Sequence, residues 1–128
     1  MEVGIKHENK IVVSTDKTAA VVGSGLLEVF ATPAVIALME QTASESVSAM
    51  LDEGTTTVGT KINVDHLAAT PVGMVVRCVS TLTGVDGRKL CFEIEAYDES
   101  GLIGKAYHER FIVLSERFMQ KTNAKLQK

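Results

Sequence analysis

One acidic residue, Glu40, stands where a solvated charge is not expected. It shares a helical stripe with Ile36, Ala43 and Val47, inside a segment that is otherwise largely apolar or small. Residues 18–60 contain no Lys, Arg or His that could neutralise it. Glu40 must therefore find a cation in a distant part of the chain or in another subunit, hold a proton more tightly than usual, or lie at the edge of the stripe and reach water. The first two conditions suit a carboxylate that takes part in chemistry.

His66 is the second candidate for chemistry. It ends a Thr- and Val-rich segment, and a histidine, which titrates near neutrality, can move a proton to or from a reacting group. A lone histidine at the end of a strand is also a common hydrogen-bonded structural residue, so both interpretations stand. A structural role is the default for His7 and His108, although strand alternation puts His108 on the same face as Arg110.

Thr32 precedes Pro33 at the start of the apolar segment, which is the pattern of a helix N-cap followed by proline in the first turn. Capping alone would explain a threonine here. Thr32 lies eight residues before Glu40, which is roughly 12 Å along a helix axis, so the two side chains cannot bond directly within one helix. If both act on one substrate, the substrate extends along the helix or the site combines two chains.

Two further residues have types that suit a binding site. Gly59 interrupts a predicted strand, where a glycine marks either a bulge or the close approach of a ligand. Arg110 can compensate Glu40 or another carboxylate, or bind phosphate groups.

The elements that must position these residues follow from the pattern of the chain. We expect a long helix from Thr32 to near Asp52, because no Pro or Gly falls between Pro33 and Gly54. Alternating and β-branched segments predict strands at Gly4–Ser14, Thr55–His66, Met74–Val85, Arg88–Asp98 and Leu102–Leu114. One long helix and an antiparallel sheet form an α+β architecture, for which two folds suit the order: the hot-dog fold, in which a curled sheet wraps the helix, and the cystatin-like cone.

Length and charge limit the classes of function. The chain has 128 residues, which suits a single domain over residues 1–128, with residues 116–128 as a strand end, a short helix or a solvated tail. A net charge of −3 argues against nucleic-acid binding. The sequence shows neither a secretory leader nor eighteen consecutive apolar residues, so we expect a cytoplasmic protein without a membrane span.

Two cysteines, Cys78 and Cys91, flank a predicted hairpin turn at Asp86-Gly87. That turn would set Cys91 opposite Leu82 and Cys78 opposite Glu95, which leaves the two sulfur atoms too far apart to bridge. We therefore expect free thiols, in keeping with a reducing compartment.

Four separated blocks carry a resemblance to a known family. The strings VFATPAVIALME (Val29–Glu40), VGTKINVDHLAATPVG (Val58–Gly73) and HERF (His108–Phe111), with the Lys-Thr pair near the end, resemble the fluoroacetyl-CoA thioesterase-like group of hot-dog-fold thioesterases. The similarity runs from about Val29 to Lys125.

The resemblance implies a function and a site. It matches Thr32, Glu40 and His66 to the family's catalytic residues, Gly59 to the glycine against the acyl thioester, and Arg110 to an arginine of the site. It further implies a homodimer that binds acyl-CoA where the subunits meet, with no metal and no cofactor apart from CoA within the substrate.

The same resemblance leaves the acyl group open. The family's aromatic lid over that group is missing around residues 21–27, so we expect no selectivity for fluoroacetyl-CoA. The alternatives are a non-catalytic acyl-CoA or acyl-carrier binding module and an enoyl-CoA hydratase on the same fold.

Overall fold

The computed structural model describes residues 1–127 and consists of an antiparallel sheet with a long helix packed against it. The strands are β1 (Lys6–Val12), β2 (Thr55–His66), β3 (Val75–Asp86), β4 (Lys89–Asp98) and β5 (Gly101–Leu114). The helices are α1 (Ala19–Val22), α2 (Thr32–Ser48) and α3 (Ser115–Asn123), and 3₁₀ turns occupy Thr15–Lys17 and Ala124–Leu126. The predicted order of one strand, a long helix and four strands is confirmed, as is the α+β class.

Helix α2 begins at the predicted residue, but Thr32 does not cap it. The residue in the capping position is Ala31, whose side chain has no hydrogen-bond acceptor, so the prediction of a threonine cap is wrong. The Thr32 hydroxyl is engaged elsewhere, because its Oγ1 lies 2.7 Å from Nδ1 of His66.

Helix α2 also ends earlier than predicted. It stops at Ser48 rather than near Asp52, and the amide of Met50 then bonds to the carbonyl of Val47 at 3.0 Å. This shorter i+3 pattern closes the last turn and releases the chain toward β2.

The sheet has the strand order β1-β3-β4-β5-β2, so β2 forms one edge and pairs only with β5. Gly59 lies opposite Arg110 in this pairing, and the register shifts between Gly59 and Lys61. The predicted irregularity at Gly59 is therefore a bulge at Thr60. Strand β2 carries both Gly59 and His66, and its outer edge has no strand partner within residues 1–127.

The core lies between one face of α2 and the inner face of the sheet. Each side contributes fully buried apolar side chains, among them Val35, Met39, Ala43 and Val47 from α2 and Leu82, Leu90, Phe92 and Ile94 from the sheet. Glu40 follows a buried residue of the helix and is held at the margin of this core.

The β3–β4 hairpin differs by one residue from the predicted register. The turn residues are Gly87 and Arg88, because Asp86 pairs with Lys89 and Gly87 adopts a φ of 60°. Leu82 consequently faces Phe92 rather than a cysteine, and the register shifts at Thr83. Cys78 and Cys91 are free, as predicted.

Two short helices complete the chain. Helix α1 was not predicted in the irregular stretch from Thr15 to Gly25; the Thr18 hydroxyl caps it, accepting from the amide of Val21 at 3.4 Å. The segment after β5 forms α3, one of the three forms that the sequence left open, and Lys128 lies outside the described residues. No helix within residues 1–127 is long and apolar enough to cross a bilayer.

Gly104 allows α2 to approach the sheet. A Cβ atom there would lie 3.2 Å from the carbonyl oxygen of Asp65 and 3.4 Å from Cε of Met39. We expect Gly104→Val to destabilise the fold by about 1–3 kcal/mol through overpacking, measured by urea denaturation. Lys105→Val, at the neighbouring exposed position of β5, is the control and should change stability by less than about 0.5 kcal/mol. Equal stability of the two variants would contradict this account of the close approach.

Candidate functional site

The first part of the site is a hydrogen-bonded pair, Thr32 and His66. Thr32 opens α2 and His66 ends β2, and Oγ1 of the threonine lies 2.7 Å from Nδ1 of the imidazole. This contact fixes the orientation of the ring. The structure thus brings together two of the three residues that the sequence singled out for catalysis.

The second ring nitrogen of His66 has no partner. Its Nε2 is buried and makes no hydrogen bond within the described chain. Buried polar groups are normally satisfied, so this nitrogen is available to bond to water or to another molecule. His66 and Thr32 line a pocket of about 310 Å³ together with Phe30 and the short segment Leu67–Ala69. The pocket is small, which suits a compact group.

The second part of the site surrounds Glu40. Its Oε2 lies 3.8 Å from Nη1 of Arg110, and its side chain is 40% exposed. Glu40 therefore combines two of the predicted outcomes, because it pairs with a cation from a distant part of the chain and also reaches water. A Cβ atom at Gly59 would lie only 2.7 Å from the same Oε2. The glycine thus keeps the space in front of the carboxylate open.

Arg110 is fixed by more partners than the sequence indicated. Its Nε donates to Oγ1 of Thr57 at 2.8 Å, its Nη2 donates to the Thr57 carbonyl at 3.0 Å, and its Nη1 lies 3.2 Å from Nε2 of His108. Sequence reasoning did not select Thr57 or His108 as site residues. The available signal was strand alternation, because each stands two residues before Gly59 or Arg110 and shares its face.

The hydrogen bonds of His108 define its protonation. Nδ1 lies 2.7 Å from the carbonyl of Lys61 and must donate to it, which leaves Nε2 to accept from Arg110. Burial lowers the pKa of His108 from its ordinary value of 6.5, and the charge of Arg110 lowers it further, against the hydrogen bond to Lys61 and the charge of Glu40. His108 is thus a neutral acceptor that directs the guanidinium.

The two parts of the site are well separated within one chain. Thr32 and Glu40 are eight residues apart on α2, which is roughly 12 Å along the axis. Gly59 and His66 are seven residues apart on β2, which is roughly 23 Å. The structure therefore places all five predicted residues in two clusters, the Thr32–His66 pair and the Glu40–Gly59–Arg110 cluster.

The donor set favours proton transfer and nucleophilic attack. A carboxylate beside a cation and an oriented imidazole are the groups that acyl transfer uses. Among residues 1–127, no three His, Cys, Asp or Glu side chains are grouped so that they could hold a metal ion.

A long helix packed against a five-stranded antiparallel sheet is the arrangement of the hot-dog fold, and the comparisons with known proteins place the chain among the hot-dog thioesterases. The family model for fluoroacetyl-CoA-specific thioesterase matches residues 13–116. The fluoroacetyl-CoA thioesterase of Streptantibioticus cattleyicolor is 38% identical over 98 residues, which cover 77% of this chain and 70% of that protein. The chain belongs to the fluoroacetyl-CoA-specific thioesterase family.

Solved structures agree with this assignment. The fluoroacetyl-CoA thioesterase FlK with a threonine-to-serine substitution, in complex with acetyl-CoA, superposes with a TM-score of 0.94 at 33% identity over 98% of both chains. A thioesterase superfamily member from Thermus thermophilus superposes with a TM-score of 0.89 at 26% identity, over 98% of this chain and 96% of that one. The predicted family resemblance, hot-dog fold and thioester hydrolase class are confirmed.

The neutral state of His108 predicts a pH dependence of stability. The pKa of His108 is lower in the folded than in the unfolded state. The stability that the neutral imidazole contributes is therefore present above about pH 6.5 and is lost as the pH falls through the folded pKa. His108→Gln keeps a donor for Lys61 and an acceptor for Arg110 but does not titrate. Urea denaturation at about pH 7.5 and pH 5.5 should show a smaller loss for the variant than for the wild type. Equal losses in both proteins would contradict a buried neutral His108.

Proposed function

We propose that the protein hydrolyses small acyl-CoA thioesters to a carboxylic acid and CoA. The observation that carries the proposal is the Glu40 carboxylate, which faces the open space left by Gly59 and is paired with the buried Arg110 at 3.8 Å. Membership of a thioesterase family supports the same reaction. The relative FlK in complex with acetyl-CoA supports an acyl-CoA as the substrate.

Glu40 starts the reaction on either of two routes. On the first, it takes a proton from water as the water oxygen adds to the carbonyl carbon, and collapse of the tetrahedral intermediate breaks the C–S bond. On the second, the carboxylate itself attacks and displaces the thiolate, and water then hydrolyses the anhydride. Both routes yield the acid and CoA without a metal or a further cofactor.

The pair of Thr32 and His66 handles the proton. Thr32 holds Nδ1 at 2.7 Å, which leaves the unpartnered Nε2 to face a reacting group. In this proposal His66 takes up a proton from solvent and delivers it from Nε2 to the departing sulfur atom, and Thr32 positions the ring. On the first route Glu40 releases the proton that it took from water to solvent, so both groups return to their starting states. CoA thiolate is a good leaving group, so modest acid assistance is enough.

We propose that the active unit is a homodimer. Antiparallel pairing of two β2 edges about a two-fold axis at Ile62 would set His66 of the second copy opposite Val58, next to Gly59. The same pairing would satisfy the free edge of β2. Each site would then join the Glu40 cluster of one chain to the Thr32–His66 pair of the other, which removes the separation of roughly 23 Å along β2.

The loop before α2 supports a broad choice of small acyl groups. Leu26 is 94% exposed and Leu27 is 70% exposed, so neither covers the pocket beside Thr32. We therefore propose that the enzyme is not selective for fluoroacetyl-CoA. The two free thiols support a cytoplasmic location.

Thiol release from short, branched and aromatic acyl-CoAs tests this function. We expect turnover by the wild type, and losses of about 100-fold or more in kcat/KM for Glu40→Gln and His66→Ala. Gly59→Ala should lower kcat as well, because the added methyl displaces the carboxylate from its position 2.7 Å away. Glu45→Gln is the matched control, since Glu45 is an exposed carboxylate on the same helix.

The same assay separates the alternatives, provided that every variant folds as the wild type does. Saturable acyl-CoA binding without turnover would identify a binding module. Formation of a 3-hydroxyacyl product from an enoyl-CoA would identify a hydratase. Hydrolysis that survives both Glu40→Gln and His66→Ala would overturn the assignment of the centre.

A further inference from the structure

Helix α3 carries cations that the proposed catalytic steps do not use. Arg117 and Lys121 are one turn apart on the helix, and Lys125 follows at the same spacing in the 3₁₀ turn. All three are exposed, and within residues 1–127 none forms an ion pair with a carboxylate. Glu116 is the single acidic residue of this segment, whereas the whole chain has a net charge of −3. Positive charge is therefore concentrated here on an otherwise acidic protein.

The position of α3 keeps these cations far from the pocket of their own chain. The amide of Ser115 donates to the carbonyl of Gly54 at 2.9 Å, and Thr55 pairs with Leu114, so α3 begins beside the start of β2. His66 is at the other end of the same strand, roughly 36 Å away at the usual rise per residue. The cations cannot serve that pocket within one chain.

A second copy changes this relation. In the proposed dimer, with its two-fold axis at Ile62, the register continued past the end of β2 at His66 would set Thr55 of one chain near Ala69 of the other. Ala69 lines the pocket of Thr32 and His66. The start of α3, which lies beside Thr55, would then be at the rim of the pocket in the second copy.

We propose that Arg117, Lys121 and Lys125 bind the phosphate groups of the CoA whose thioester occupies the pocket of the partner subunit. This inference rests on the proposed acyl-CoA function and on the proposed dimer. The pantetheine arm separates the phosphates of CoA from its sulfur, so phosphate contacts must lie outside the pocket that receives the acyl group. Exposed cations attract a polyanion and gain little from isolated surface carboxylates.

The test compares two thioesters with the same acyl group. The acyl-CoA carries the phosphates, and the N-acetylcysteamine thioester lacks them. The triple variant Arg117→Gln, Lys121→Gln, Lys125→Gln should raise KM for the acyl-CoA about tenfold, as expected for the loss of three charge contacts, with kcat changed less than about twofold. KM for the short thioester should stay the same. The triple variant Lys6→Gln, Lys10→Gln, Lys105→Gln carries the same change of charge on the sheet and should leave both values unchanged.

Three results would overturn the proposal. They are an equal rise of KM for both thioesters, no rise for either, and an equal rise in the control variant. If the wild type hydrolyses neither thioester, the proposed function fails, and calorimetric titration with CoA itself then decides the present inference. Weaker CoA binding by the α3 variant alone would support the proposed phosphate contacts. Equal CoA binding by the wild type, the α3 variant and the control variant would overturn them.

A tagged heterodimer identifies the chain that supplies the cations. One subunit carries the α3 substitutions and the other carries His66→Ala, so the intact imidazole and the intact α3 belong to different chains. We expect the KM of the wild type for acyl-CoA. The raised KM of the α3 variant would show that each helix serves its own chain and would overturn the shared arrangement.

Discussion

The buried guanidinium of Arg110 is the interaction on which the site depends. A charge in the interior is costly unless it is paired and hydrogen-bonded, and here Thr57, His108 and Glu40 share that task. Burial lowers the pKa of Arg110, and the nearby Glu40 opposes that shift, so the carboxylate stabilises the charged form of the guanidinium. The neutral His108 accepts a hydrogen bond from the guanidinium without adding a charge to the site. Because these partners come from β2, β5 and α2, the same contacts that satisfy the arginine also fix where the carboxylate points.

The geometry of one long helix and one long edge strand explains why the candidate residues fall into two separate clusters. Regular elements cannot bring together residues that are eight positions apart on a helix or seven apart on a strand. The fold instead places the candidate residues in two clusters, one around Gly59 and one at the end of β2. In the proposed dimer, a two-fold axis joins the two clusters, and the cations of α3 reach the rim of the resulting site. One pairing of β2 edges would thus account for the free edge, the orphaned Nε2 of His66 and the exposed charge of α3.

The sequence predicted most of the fold because its signals are local. The predicted bounds of β2, Thr55–His66, are those of the structure, and Pro33 marks the start of α2. The cap of α2 and the register of the β3–β4 hairpin depend on tertiary contacts, which the local sequence does not show. Thr32 illustrates the limit, since its hydroxyl bonds to an imidazole 34 residues away instead of capping its own helix. Thr57 was missed, and His108 was noted only as sharing a strand face with Arg110. Alternation shows which residues share a face, but the importance of these two comes from the burial of Arg110, which alternation does not reveal.

The most direct measurement of the central claim, that each site combines two chains, is thiol release by mixed dimers of Glu40→Gln and His66→Ala chains. In a mixed dimer with shared sites, one site carries both substitutions and the other carries neither. Co-refolding equal amounts of the two inactive variants should therefore restore about a quarter of the wild-type activity, since random pairing makes half of the dimers mixed. If each site lies within one chain, every site in the mixture retains one substitution and activity stays at the level of the single variants. That result would contradict the account.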